Sequence, residues 1–383
     1  MYKFSAPMPY TKENITNLLN INNYVEKSKI STLSFSLPSS CNLFSGFEQY
    51  RNYLLKNSDW NYWKDLISYS LDFGIDFIYL LNNPNCIFIE NPNFEKQLEK
   101  LDKLLNELQN IGVNKLRISE HRLIDYISKN YPYFNIYAST SFEFKNIAEY
   151  KNFMFMHPNV KQIVPSHDCI KNFTLLKNIK KLFPKVEIEL MINEGCSNGC
   201  PTRIMHAAEK TDRTIISKKN KILSNLYWTS NFCGKFEDRF PFYAIVKSNV
   251  IYPWEIEEYS KIRINNFKFV GRGLYQFQPE ECLSMYLYYL KGLDNFKYIE
   301  NVPMRKFIFH LLFNSKLKKL TVKDVKNLLP DIKHFRKYGK LCSSACGVEC
   351  RYCYKCADKI QQVFEKKMKE EQKREVSACK SAT

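Results

Sequence analysis

The sequence predicts an α/β protein of the TIM-type (β/α) barrel class, carrying a C-terminal helical, cysteine-rich extension. Three observations lead there. Short apolar, β-branched runs alternate with longer amphipathic segments, the pattern of a parallel sheet whose strands are joined by helices. About eight such runs fall within roughly 250 residues, the usual size of an eight-stranded barrel. No Gly-rich phosphate turn follows the first run, and the chain of 383 residues holds only 11 glycines, which disfavours a doubly wound nucleotide-binding sheet.

The strands are expected at 33–37, 76–81, 115–119, 135–138, 162–165, 187–192, 243–247 and 267–270. Helices are expected between them at 94–111, 120–129, 144–152 and 170–182. The first shows its period most clearly. Leu101, Leu104, Leu105 and Leu108 share one face, with charges opposite. After about residue 290 the pattern becomes helix, cysteine cluster, helix, with helical segments at 305–312, 322–329 and 357–375. The division expected is therefore an N-terminal segment (1–30), a barrel (31–290) and a basic, cysteine-rich C-terminal region (291–383).

A content of 45% hydrophobic and 15% aromatic residues fits a folded chain rather than a disordered one. The opening residues, Met1 to Pro7, lack a long apolar run, so no secretory leader is expected. Apolar stretches such as Phe77-Ile78-Tyr79-Leu80-Leu81 are too short to span a bilayer. A cytoplasmic protein with no membrane partner is the expectation. The formal net charge is +18, and residues 301–383 carry 20 Lys+Arg against 8 Asp+Glu, so +12 of it lies in the last fifth. Such a tail suggests RNA or another polyanion as partner; solvated helix faces explain it equally well.

Thirteen cysteines in a reducing compartment point to metal rather than disulfides. The run at 187–192 ends in Asn193-Glu194-Gly195-Cys196-Ser197-Asn198-Gly199-Cys200-Pro201-Thr202-Arg203, with His206 close behind. In a βα barrel this loop lies on the C-terminal face, where active sites are built. Two thiolates four positions apart can grip one metal centre, and proline directly after a ligating cysteine also occurs in ferredoxin runs. Cys233, in a polar Asn-Phe-Cys-Gly-Lys stretch, can return to the same rim. A 4Fe-4S cluster held by Cys196, Cys200 and Cys233 would keep one iron open for substrate; alternatively Cys41 or Cys169 closes the shell. A second group, Cys342, Cys346, Cys350, Cys353 and Cys356, suits either a second iron–sulfur cluster or zinc, with Cys350, Cys353 and Cys356 as its core. Around the rim, His167, Arg203, His206 and Arg272 are candidates to bind a small anionic substrate. Ser139 and Ser166 read as caps for the helices that follow.

The run Asn193-Glu194-Gly195-Cys196-x3-Cys200-Pro201-x-Arg203-x2-His206 resembles the signature of the peptidase U-32, or collagenase-like, family. Val250-Ile251-Tyr252-Pro253-Trp254-Glu255-Ile256, then Tyr259 and Phe267-Lys268-Phe269-Val270-Gly271-Arg272, resembles a later run of that family. There the family's Glu-Asp pair has become Trp254-Glu255, and one acid is lost. The tail from Cys350 to Ala357 is similar to the cysteine-rich end of one branch. The resemblance implies an iron–sulfur protein of oxygen-independent hydroxylation acting on RNA or a small aromatic or anionic substrate, with prephenate as the suggested hydroxyl donor. A metal-stabilised RNA-binding protein is the second expectation. A metal-dependent peptidase ranks third, since no His-Glu-x-x-His occurs.

Overall fold

Eight parallel strands close a barrel in chain order, each hydrogen-bonded to the next and the last to the first. The computed structural model describes residues 1–35, 60–83, 94–196, 198–200, 203, 240–271, 279–308, 314–330 and 351–381. The strands are β1 (Tyr2–Pro7), β2 (Ser28–Phe35), β3 (Asp76–Leu81), β4 (Lys115–Ile118), β5 (Asn135–Ala138), β6 (Val160–Ile163), β7 (Glu187–Met191) and β8 (Asn266–Lys268). Closure comes from β1, whose Lys3 and Phe4 pair with Asn266 and Phe267 of β8 while Tyr2 to Pro7 pair along β2.

Two expectations are corrected here. The first strand lies at residues 2–7, inside the stretch read as an N-terminal segment, so the barrel begins at Tyr2. Segment 243–247, read as a strand, is part of a helix, Pro241–Lys247. A short apolar, β-branched run does not distinguish a buried strand from a buried helix by its period, and Pro241 in the first turn favours the helix. Phe4 then stacks against Phe267 and Phe269 across the β1–β8 seam, with centroids 5.5 and 5.4 Å apart, so aromatic packing seals the closure.

The helices between strands are α1 (Lys12–Asn20), α2 (Trp60–Asp72), α3 (Phe94–Asn110), α4 (His121–Asn130), α5 (Ile147–Met156) and α6 (Phe173–Leu182). α7 (Pro241–Lys247) and α8 (Ile256–Ser260) lie between β7 and β8, and α9 (Pro279–Asp294) follows the barrel. Their apolar stripes form one continuous core with the outward side chains of the strands. α5 starts at a capping box in which Asn146 and Glu149 exchange bonds; this sets its start three residues later than the period suggests.

The lumen is polar, where branched aliphatics usually fill a barrel of this class. Arg117 of β4 reaches across to β7 and β6. Its Nη2 lies 2.7 Å from the Glu189 carboxylate and donates to Gln162 Oε1 at 2.6 Å. Ser5 of β1 donates to Glu189, and Gln162 donates to Glu187. Arg117 and Glu189 are almost fully buried, so each needs the other: removing one partner of such a pair typically costs about 3–5 kcal/mol.

After the barrel come α10 (Ser315–Lys318), α11 (Val322–Val325) and a 30-residue helix, α12 (Tyr352–Ser381). α12 docks on α7, where Tyr354 stacks on Tyr243 at 4.6 Å and Phe364 meets Phe242 at 5.3 Å. Its charged end is tied back by Lys367 to Asp324, and by Glu371 to Lys319. Among the described residues, no helix is long and apolar enough to cross a membrane.

Candidate functional site

The loop after β7 carries the cysteines over the C-terminal face, and three devices fix it there. Asn193, fully buried, accepts from Val270 N at 2.8 Å and donates to Val270 O at 3.1 Å, clamping the end of β7 to the segment beyond β8. Gly199 turns the chain with φ +72°, a left-handed conformation that favours glycine, and its N–H donates to Asp168 at 2.7 Å. His167 is fully buried and its Nε2 lies 2.5 Å from the carbonyl oxygen of Cys196. A carbonyl only accepts, so this contact assigns the proton to Nε2. Nδ1 is left without a hydrogen-bond partner among the described residues. Burial lowers the His167 pKa, so the ring is neutral near neutral pH.

That loop brings Cys196 and Cys200, both half-buried, into hydrogen-bonding contact. Contact with Cys200, then burial, then the Glu194 carboxylate push the Cys196 thiol well above the ordinary thiol range; Arg203 opposes them. A metal entering here must therefore displace a tightly held proton, the usual coupling between thiolate ligation and proton release.

Arg203 is the hub beside the thiols. It donates from Nη1 and Nη2 to Glu194 at 2.6 and 3.2 Å, and from Nε to Glu143 at 3.2 Å. Burial alone would lower its pKa, but the two carboxylates raise it. Glu143 also accepts from Ser166 Oγ, and it sits at φ 50°. A non-glycine residue in that region is strained by about 1–2 kcal/mol, which the surrounding bonds hold in place. Lys145, 3.4 Å from Asp168, completes the polar ring.

The sequence reading named Cys196, Cys200, Arg203 and His167, and the structure brings these four together. His167 faces the Cys196 backbone rather than solvent, so it positions the loop. Cys41, Cys233, Cys350, His206 and Arg272 lie outside the described residues. Cys169, weighed as a further ligand, is buried, donates to Lys145 O at 3.5 Å and has its pKa pushed up by burial to about 12. Among the described residues no group of three His, Cys, Asp or Glu side chains converges on one point. Among the described residues Cys196 and Cys200 therefore meet as a pair of thiols, without a third such side chain converging on them. Cys353 and Cys356 lie in the first two turns of α12, half-buried and buried, and burial raises the Cys356 pKa.

Sequence reasoning missed Glu143 as part of this ring, and placed Asp168 on the rim only within the polar run Ser166-His167-Asp168-Cys169. Glu143 follows Ser139-Thr140-Ser141-Phe142 with no spacing that marks it; Asp168 stands beside His167 in a run that reads as a cap. The Trp254-Glu255 departure is structural. Glu255 is buried and accepts from Tyr252 N at 2.9 Å, while Trp254 stacks on Tyr252.

Comparison with known proteins shows what part of the chain is similar to a family. Residues 62–197 match the family model for peptidase family U32. No curated protein matches the chain. Among solved structures, a U32 peptidase shares 10% identity, with 71% of this chain and 94% of that chain covered and a TM-score of 0.45. A D-psicose 3-epimerase shares 9% identity over 70% of this chain and 84% of its own, with a TM-score of 0.33. The Clostridium difficile protein CdNal shares 13% identity over 63% and 84%, with a TM-score of 0.32. The matched segment runs from α2 through β7 to the first rim cysteine, so the similarity to peptidase family U32 covers the middle of the barrel.

Proposed function

We propose that this U32-like barrel is an iron–sulfur enzyme that carries out oxygen-independent hydroxylation, or a related redox modification, of an RNA or a small anionic substrate. One observation supports the reading above the rest. Two thiols meet on the C-terminal rim inside a ring of charged groups that no core packing requires. A cluster bound there by Cys196, Cys200 and Cys233 would supply electron transfer and an open iron for the substrate. The chain's own residues do the rest. Arg203 keeps positive charge beside the sulfurs while Glu194 and Glu143 orient it, so the thiolates lie next to a fixed cation. His167 and Asp168 hold the backbone on either side of the cysteines, at the Cys196 carbonyl and the Gly199 amide. Arg203, His206 and Arg272 are the side chains proposed to meet an anionic substrate.

A strain lacking the protein tests the reading. Its RNA and small metabolites should lose a hydroxylated product that returns with the wild-type chain and not with Cys196→Ala. No loss of product in the deleted strain would overturn the enzyme reading, and return of the product with Cys196→Ala would overturn the cluster's part in it.

A further inference from the structure

We propose that the opposite, N-terminal mouth of the barrel is a second binding site, for a small zwitterion whose carboxylate lies on Lys3 and Lys29 and whose ammonium group lies on Glu187. A cavity of about 400 Å³ opens there, inside the range of about 300–1,000 Å³ typical of ligand pockets. Its walls come from the starts of the strands and the lumen behind them, among them Lys3, Ser5, Lys29, Gln162, Glu187 and Asn266.

The charges around it are sorted by side. Lys3 and Lys29 are direct register partners on β1 and β2, so two ammonium groups stand on neighbouring strands. Like charges so placed repel, and among the described residues neither forms an ion pair. Lys115, on the same mouth, shows the contrast: it is tied to Asp76. Two strands along the wall from β1, Glu187 of β7 is exposed to the opening and accepts only from the neutral Gln162 amide, at 3.2 Å, among the described residues. Glu189, one step further in, is compensated by Arg117. Between the two edges lies Asn266, paired with Lys3 on one side and Glu189 on the other, with the Ser5 hydroxyl near the floor.

A cavity with an unneutralised positive edge and an unneutralised negative edge selects a ligand of matching polarity. A lone anion would satisfy the lysines and face Glu187; a lone cation would do the reverse. A neutral polyol would leave both edges uncompensated. An amino-carboxylate neutralises both at once, in a recess where charge interactions are stronger than in open water.

Equilibrium dialysis of the full-length protein tests this with glycine, L-serine and 4-aminobutyrate, using acetate and methylammonium as single-charge controls. The expected result is binding of at least one amino-carboxylate with a Kd below about 1 mM, and controls weaker by at least about tenfold. Glu187→Gln, and separately Lys3→Met with Lys29→Met, should each weaken that binding by about tenfold or more. Their melting curves by circular dichroism should show a folded chain. Cys196→Ser with Cys200→Ser should leave the binding intact. Three results would each overturn the site: no probe binding tighter than about 10 mM, controls binding as well as the zwitterions, or folded Glu187→Gln protein binding at full strength. Loss of binding in the cysteine variant would move the ligand to the rim and overturn it too.

Discussion

His157 shows how one side chain ties pH to stability. It is buried, its Nε2 lies 2.7 Å from His121 Nδ1, and its Nδ1 lies 3.1 Å from Asp125. Burial lowers the pKa of both rings; for His121 the neighbouring His157 adds to this, while Asp125 opposes it at both. A lowered histidine pKa means that the unfolded chain takes up protons which the folded one refuses. Stability is therefore full above the unfolded value near 6.5 and falls as pH drops below it, by up to about 1.4 kcal/mol per pH unit for the buried His157 and by less for the exposed, solvent-screened His121. Urea midpoints taken between pH 7.5 and 5 should decline, and His157→Asn should flatten the decline; a midpoint that rises on acidification would contradict the assignment. Gly199 sets a second test. Among the described residues no atom lies within 4 Å of a Cβ added there, so the cost of Gly199→Ala is set by φ +72° and should be about 1 kcal/mol. That substitution should also loosen the cysteine loop, and iron retention after dialysis would report it. Of the site's residues, Cys196 and Cys200 were legible because a thiol pair in a polar Asn, Gly and Pro loop after a strand stands apart from ordinary buried core cysteines. Glu143 was not, because its importance lies in a backbone angle and in partners 23 and 60 positions away.

At the scale of elements, the strands from 76 to 191 were readable because each is a short apolar run bounded by polar helix caps. The barrel's seam was not. β1 reads Tyr-Lys-Phe-Ser-Ala-Pro, with Phe4 and Ala6 buried among the core residues and Lys3 and Ser5 lining the polar lumen mouth, so it lacks the continuous apolar run expected of a parallel strand. The same polar lumen puts Arg117 and Glu189 inside strands, a placement that local pattern cannot foresee because each is explained only by the other. Asn193 joins two such elements. Asn193→Ala would strip the amide and carbonyl of Val270 of their side-chain partner in a buried place. The expected loss is about 1–3 kcal/mol, read as a lower melting temperature, and an unchanged melt would mean that β7 and the segment after β8 are held by packing alone.

For the whole molecule, the basic C-terminal region and the rim cysteines lead to separable tests. If the region grips RNA, affinity should fall steeply with salt, each neutralised phosphate contributing a slope of about −0.7 in log K against log salt for a single strand. Lys319 is already tied to Glu371, so Lys316 and Lys318 are the better pair to neutralise. Replacing both with Gln should flatten the slope by up to about 1.4, and an unchanged slope in labelled-RNA titrations would remove this surface from the interface. The central claim concerns the rim. Protein purified without oxygen should hold about four iron and four sulfide ions for the rim cluster, and Cys196→Ala with Cys200→Ala should lose them. Wild-type protein holding zinc alone, or a double variant that keeps its full iron, would contradict the account.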